Sequence, residues 1–291
     1  MKFKTFSIVT GSEVCDAQCP FCVSKMTPEN GLGMKEPEVN WRNFKVAAML
    51  ARQSGIDTAM ITGKGEPTLF PHQISKYLDA LKGFGFPFIE LQTNGIRIAE
   101  KREKYDPFVR EWYDKGLTIP SISIVHYDPE KNRQIYVPNK EKYIDLPKLI
   151  DYFHNVGLSV RLACVAVDGY IDGAGKLEKL IEFSKINKVE QLTVRPVNKP
   201  EETRNEGVYA WTKEHHLKPV QLEEIKRYLD HNGSILLELP HGGSVYDVNG
   251  QNVCLGNSLT RNPDPENIRQ LIFFPDGHIR YDWEKEGAIL L

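Results

Sequence analysis

No stretch of this chain is both apolar and long enough to span a bilayer, which excludes a membrane-crossing helix at the outset. Charge of one sign is missing too: 37 Lys and Arg stand against 39 Asp and Glu, a net charge of −2, with the two signs interspersed. Without a basic stripe there is no electrostatic footprint for nucleic acid or an anionic membrane. Repeats and low-complexity tracts are absent as well. The first residues, Met1-Lys2-Phe3-Lys4-Thr5-Phe6-Ser7-Ile8-Val9, alternate polar and apolar, which reads as a strand and not as the apolar block of a signal peptide. A cytoplasmic protein is the expectation. Cysteine is scarce: only Cys15, Cys19, Cys22, Cys164 and Cys254. The number is odd and three crowd into eight residues, so no sensible disulfide framework uses them. A metal site in a reducing compartment fits better.

What the chain does have is 41% hydrophobic residues in 291, enough for one large α/β domain with a small appendage. β-Branched runs alternate with amphipathic stretches. Strands are expected at 7–10, 58–62, 88–92, 121–125, 158–167 and 191–197, with helices between them. Asn40 suits an N-cap for a helix whose Trp41, Phe44, Ala48 and Ala51 share a face, and Gly55 suits its stop. Six such alternations imply parallel strands with right-handed crossovers, hence an α/β fold built as a partial (β/α)6 barrel of the TIM type over residues 1–233. Beyond a helix near 222–229 the rhythm changes. Short antiparallel strands are expected at 234–239, 245–248, 268–274 and 278–283, with Pro275-Asp276-Gly277 as a hairpin turn. They make residues 234–291 a C-terminal β appendage capping the barrel. Segments 25–40 and 198–216 read as mobile, and the terminal Ala288-Ile289-Leu290-Leu291 as docked.

Cys15-Asp16-Ala17-Gln18-Cys19-Pro20-Phe21-Cys22 spaces its thiols C-x3-C-x2-C on the loop after the first strand. Thiolates suit iron–sulfur clusters or zinc, and both usually take four ligands, while the local supply stops at three. Structural zinc would need a fourth ligand from afar, Cys254 or a histidine. An iron–sulfur cluster with three protein ligands leaves one iron open for a substrate or cofactor.

The triplet resembles the C-x3-C-x-φ-C signature of the radical S-adenosylmethionine (SAM) superfamily, with Phe21 as the aromatic residue φ. Thr62-Gly63-Lys64-Gly65-Glu66-Pro67, after the second strand, is similar to the family's Gly-Gly-Glu-Pro element with a residue inserted between the glycines. Glycines let backbone approach a ligand closely, and Glu66 can accept hydrogen bonds from an ammonium. The resemblance makes that ammonium the amine of SAM. Gln92-Thr93-Asn94-Gly95 resembles the Thr-Asn-Gly turn near SAM, and it also reads as a plain strand-ending turn.

Ser121 and Ser123 share a face of the fourth strand. In the lumen they would reach the SAM ribose, as in the family, while backbone-satisfied serines are the other reading. Arg161 on the fifth strand suits the SAM carboxylate or an acidic substrate, and Thr193 and Arg195 on the sixth suit SAM or substrate. For each arginine a structural salt bridge is the alternative. Strand parity turns Cys164 outward as a core residue. His126 and Tyr127 close the fourth strand, His126 in a capping or loop role.

The resemblance implies one 4Fe–4S cluster on Cys15, Cys19 and Cys22, reductive cleavage of SAM to a 5′-deoxyadenosyl radical, and hydrogen abstraction from a substrate. It implies an oxygen-sensitive enzyme and a flavodoxin- or ferredoxin-like electron donor. The segment from Cys254 through the hairpin Leu271–Arg280 resembles the twitch extension of the GTP cyclase of molybdenum-cofactor biosynthesis and its relatives. There an auxiliary cluster sits on several cysteines. Here Cys254 stands alone, so no second cluster is expected. By fold analogy the substrate is a small molecule, a nucleotide or a phosphorylated sugar. A ribosomally made peptide or a tRNA are the alternatives within the family. A zinc-stabilised binding protein without catalysis is the alternative outside it. His241-Gly242-Gly243 is a polar turn with a possible substrate role.

Overall fold

The computed structural model describes residues 2–29, 31–257, 259, 264 and 266–291. Strand β1 (Lys2–Val9) leads to helices α1 (Val23–Met26) and α2 (Trp41–Gln53), β2 (Thr58–Thr62) to α3 (Pro71–Leu81), and β3 (Phe88–Thr93) to α4 (Ile96–Glu100) and α5 (Arg102–Asp114). Strand β4 (Ile119–Ile124) leads to α6 (Pro129–Tyr136) and α7 (Leu146–Val156), and β5 (Arg161–Ala166) to α8 (Ala174–Ile186). Strand β6 (Gln191–Pro196) leads to α9 (Glu206–Glu214) and α10 (Pro219–Asn232). The chain closes with β7 (Ser234–Leu239), β8 (Gly243–Val248), β9 (Gln251–Leu255), β10 (Asn267–Phe273) and β11 (Ile279–Arg280).

Residue type decides which side of each strand meets the helices. On β5, Leu162, Cys164 and Ala166 are all buried, while Arg161, Ala163 and Val165 on the other face keep some exposure. This alternation is the two-residue period of a pleated strand with an apolar outer face and a partly polar lumen. Helix α2 forms as its sequence predicts: the Asn40 side chain accepts the Asn43 N–H at 3.1 Å, and Phe44, Ala47, Ala48 and Ala51 are buried against the sheet. Gly55 follows with φ +78°, a conformation that L-residues rarely adopt.

The sheet order is β11-β10-β1-β2-β3-β4-β5-β6-β9-β8-β7. β1 to β6 are parallel neighbours, the partial barrel expected of the sequence. The C-terminal strands divide between its two edges. β9 lies parallel to β6, with Cys254 opposite Thr193, and β8 and β7 then follow antiparallel. At the far edge β10 runs parallel to β1, with Gln270 opposite Thr5, and only its pairing with β11 is antiparallel. The antiparallel expectation for 268–274 therefore holds on one side only. Among the described residues no ladder joins β7 to β11, and the sheet stays open.

Three local readings differ from the structure. Strand β9 went unread because Gln251-Asn252-Val253-Cys254-Leu255 is short and half polar. Its register with β6 rests on long-range backbone pairing that no local pattern announces. The expected strand 278–283 shrinks to Ile279–Arg280, because the Asp282 carboxylate accepts the N–H groups of Glu284 (2.7 Å) and Lys285 (3.0 Å) and turns the chain. The polar stretch 198–216 holds α9, whose cap is Asn205 accepting from Val208 N at 3.0 Å. The terminal run packs back as expected, with Leu290 N donating to Ile279 O at 2.7 Å. Among the described residues no helix is long and apolar enough to cross a membrane.

Candidate active site

The cysteine loop leaves the carboxyl end of β1, where parallel barrels carry their chemistry. Gly11 opens it at φ +72°, its N–H held by Gln73 Oε1 at 2.6 Å. The loop then crosses the glycine-rich turn after β2 at van der Waals limits. A Cβ on Gly65 would lie 2.1 Å from the Val14 carbonyl oxygen and 2.7 Å from that of Ser12, and Glu66 N donates to Val14 O at 2.9 Å. The close approach that requires this glycine is thus made by the cysteine loop itself. Lys64, between the glycines, folds under the segment past Cys22. Its Nζ donates to Thr27 Oγ1 and Pro28 O, each at 2.8 Å. Burial holds its pKa down at about 8.

Glu66 is the hub of the site. Its buried carboxylate accepts from Thr68 N (3.0 Å), Thr68 Oγ1 (2.6 Å), Thr93 Oγ1 (2.6 Å) and Asn94 N (2.9 Å). Burial raises its pKa, and these donors oppose the rise. The Asn94 side chain continues outward, donating to Asp16 Oδ1 at 2.8 Å and lying 3.9 Å from Cys15 Sγ. Asp16 in turn pairs with Arg97 Nε at 2.9 Å. One network therefore links the glycine-rich turn, the Thr-Asn-Gly turn and the first cysteine. Sequence reading missed Asp16 and Arg97. The signal was available: an acidic residue inside the cysteine triplet and a basic one three positions after Asn94.

The donor set fits an iron–sulfur cluster. Solvent reaches Cys15, yet desolvation by the surrounding loop, and then the Glu66 charge, push its thiol up to about 12. Burial and the neighbouring thiols push Cys19 up as well. Thiolates in such surroundings need a cationic centre to stabilise them, which a cluster provides and a free nucleophilic cysteine lacks. Among the described residues no group of three or more His, Cys, Asp or Glu side chains is already placed to hold a metal ion, so the reading rests on the chemistry of the thiols. Phe21 is 8% exposed and packs 5.8 Å, centroid to centroid, from Trp211 on α9. The triplet is thereby anchored to the helix that sequence reading missed.

A cavity of about 750 Å³ has Val23, Ser24 and Thr27, just past the cysteine loop, in its wall. Gly63, Thr193, Arg161 and Arg195 line it, as do Gln92, Cys254, Gln191 and Arg269, the last two not marked by the sequence as site residues. Ser121 and Ser123 stand in register with Arg161 and Ala163, on the same face of the sheet. Gly65, Glu66, Thr93 and Asn94 lie behind the wall, in the hydrogen-bonded layer just described. Arg161 is engaged by protein: it pairs with the fully buried Glu90, and its Nε donates to Gln191 Oε1 at 2.7 Å. Cys164 is buried on the helix side. His126 Nδ1 accepts from Asp128 N at 2.9 Å, a loop role. Its ring lies against that of Tyr127, centroids 4.1 Å apart. His241, at φ +74°, lines the cavity.

No family model matches the chain. It is 26% identical over 131 residues to a GTP 3′,8-cyclase of Aeromonas hydrophila subsp. hydrophila, a match covering 44% of this chain and 36% of that one. Among solved structures it is similar to Streptococcus suis SuiB bound to S-adenosylmethionine, with a TM-score of 0.60 at 16% identity, covering 96% of this chain and 60% of SuiB. It is similar too to a radical SAM methyltransferase from Sphaerobacter thermophilus, with a TM-score of 0.57 at 15% identity, covering 88% and 67%. Methylornithine synthase aligns with a TM-score of 0.53 at 15% identity, over 78% of this chain and 62% of that one. The chain thus spans about a third of the cyclase and six-tenths of SuiB. The cysteine spacing and loop motifs resemble those of the radical SAM superfamily, part of the chain is similar to the cyclase, and the fold is similar to that of solved radical SAM structures.

Proposed function

We propose that this protein cleaves SAM reductively at a 4Fe–4S cluster held by Cys15, Cys19 and Cys22, and uses the cleavage to remove hydrogen from a small molecule bound in the lumen. The observation that carries the reading is the direct coupling of the cysteine loop to Glu66, Thr93 and Asn94 beside a cavity large enough for SAM and a second ligand. When bound, the cluster and SAM supply the electron transfer and the hydrogen-abstracting group. A flavodoxin- or ferredoxin-like protein suits the role of electron donor, and the cytoplasm suits the exposed thiol of Cys15.

The chain's own residues do the rest. Cys15, Cys19 and Cys22 hold the cluster, and Phe21 fixes their loop against α9. Gly63 presents backbone to the methionine half of SAM. Glu66, behind the wall, orients the Thr93-Asn94 turn, and its Oε2, with Asn94 N as one partner, is the oxygen nearest to hand for the amine should that wall open on binding. Ser121 and Ser123, on the same sheet face as Arg161, would serve the ribose. The Arg161–Glu90 pair closes the lumen floor. Residues 234–291 serve as the capping appendage, for Leu237, His241, Cys254 and Trp283 all line the cavity.

A second reading, a peptide substrate, draws on β7. This edge strand exposes Ile235, Leu236, Leu237 and Leu239, and unpaired edge backbone can add an extended segment. SuiB has also been solved with its precursor peptide SuiA bound. Anaerobic incubation of the iron-loaded protein with SAM and dithionite tests the shared chemistry. The expected product is 5′-deoxyadenosine, and an iron-loaded protein that yields none contradicts the proposal.

A further inference from the structure

Among the described residues three arginines line the cavity, and only Arg161 forms an ion pair there. Arg161 is paired with Glu90 and braced by Gln191. Arg195, on β6, makes no hydrogen bond or ion pair among the described residues. Arg269, at the start of β10, donates through Nη2 to the Asn257 carbonyl. Its Nη1 is buried without a partner among the described residues. Asp282 is the carboxylate whose charge Arg269 feels, but the two form no ion pair. The Cys254 thiol, on the neighbouring strand β9, feels all three arginines, Arg195 most.

Burial, followed by the neighbouring Arg195 charge, holds the Arg269 pKa down at about 10, and burial lowers that of Arg195. Arg195 feels the Glu90 charge as Arg269 feels that of Asp282, but neither forms an ion pair among the described residues; partly buried guanidinium groups without a bonded counter-charge are costly, and a cavity lined by two of them is organised for a ligand that neutralises them. Two positive charges and a planar fork whose Nη1 has no partner among the described residues match a group with two negative charges and several acceptor oxygens. With a net charge of −2 the chain offers no general attraction for anions, so the match is local to the lumen.

We infer that the substrate enters the lumen carrying a dianionic group, in the first place a phosphate ester, that is gripped between Arg195 and Arg269. The inference rests on the reading of the lumen as the substrate chamber, and it assigns Arg195 to the substrate in preference to SAM. Asn257 fixes one edge of the Arg269 fork and leaves the other edge aimed at the anion. Parallel addition of β10 beside β1, and of β9 beside β6, brings the two arginines within charge range across the open side of the sheet.

The test is calorimetric titration of the apo chain with inorganic phosphate and pyrophosphate, with succinate as a dicarboxylate arm. Saturable binding of phosphate or pyrophosphate is expected, with succinate weaker. Arg195→Gln and Arg269→Gln should each weaken binding by about 10-fold or more, the size of one charge-assisted hydrogen bond. The exposed Arg110→Gln, paired only with Asp106, serves as the control. If Arg269→Gln fails to fold by circular dichroism, Arg269→Lys keeps the charge without the fork and should bind with an intermediate loss. Wild-type protein that binds none of the anions, or variants that bind like wild type, overturns the inference. Succinate binding tighter than phosphate replaces the phosphate ester with a dicarboxylate and overturns that part of it. SAM cleavage by the iron-loaded wild type is scored separately. Cleavage without anion binding sinks this inference alone, and anion binding without cleavage sinks the radical SAM reading and leaves the anion site standing.

Discussion

Cys22→Ala is expected to abolish SAM cleavage while leaving the apo fold intact. Outer-shell changes around a metal typically cost about 10–100-fold in affinity or activity, and loss of one of three protein ligands should exceed about 100-fold. Cys22 accepts no side-chain cap role at the start of α1 and is half-buried, so the apo protein should unfold within about 0.5 kcal/mol of wild type. The measurements are 5′-deoxyadenosine formed per chain, iron per chain after anaerobic reconstitution, and apo stability in urea. Iron and product at wild-type levels would remove Cys22 from the ligand set. Cys164→Ala makes the opposite pattern. This thiol is fully buried among helix-facing core residues, so its loss should cost stability and leave iron binding in place.

Gly65→Ala is the second large effect, and it separates two roles for the glycine-rich turn. The added methyl would stand 2.1 Å from the Val14 oxygen, a backbone atom that cannot swing aside as a side chain does. Either the turn or the cysteine loop must move, and the Glu66 N–Val14 O hydrogen bond at 2.9 Å goes with it. The expected cost is about 1–3 kcal/mol of apo stability, the range for overpacking a tight site, together with poor iron retention. Gly83→Ala, where the new Cβ meets nothing within 4 Å, should be nearly neutral. An iron-replete Gly65→Ala protein of wild-type stability would show that the cysteine loop does not depend on this contact.

The parts of the molecule that were legible in the sequence are those set by local pattern. Strand β2 matches its reading at both ends, and α2 starts at Asn40 as its cap residue predicts, because periodicity and capping act over a few residues. The cysteine loop, the Gly63–Glu66 turn and the Thr93–Gly95 turn were marked by their resemblance to radical SAM motifs and by their place after successive strands. How they connect was not. Glu66 looked like a ligand for an ammonium, whereas the structure first uses it to bind Thr68 of its own turn and Thr93 and Asn94 of another. Arg161 left two readings open, and Glu90 and Gln191 on neighbouring strands occupy its fork. Strand β9 and Arg269 escaped altogether, since what defines them is parallel pairing across more than fifty residues of chain to β6 and more than two hundred and fifty to β1. Pairing at such separations follows from the closing of the whole sheet and leaves no trace in a short window.

The central claim is that three neighbouring thiolates hold a cubane with one iron left for SAM. Electron paramagnetic resonance of the reconstituted, dithionite-reduced protein tests it most directly, recorded with and without SAM and beside an iron count. The account predicts about four irons per chain and a reduced 4Fe–4S signal that changes shape when SAM is added. A chain that takes up zinc and no iron, or a cluster signal that SAM leaves untouched, would contradict it.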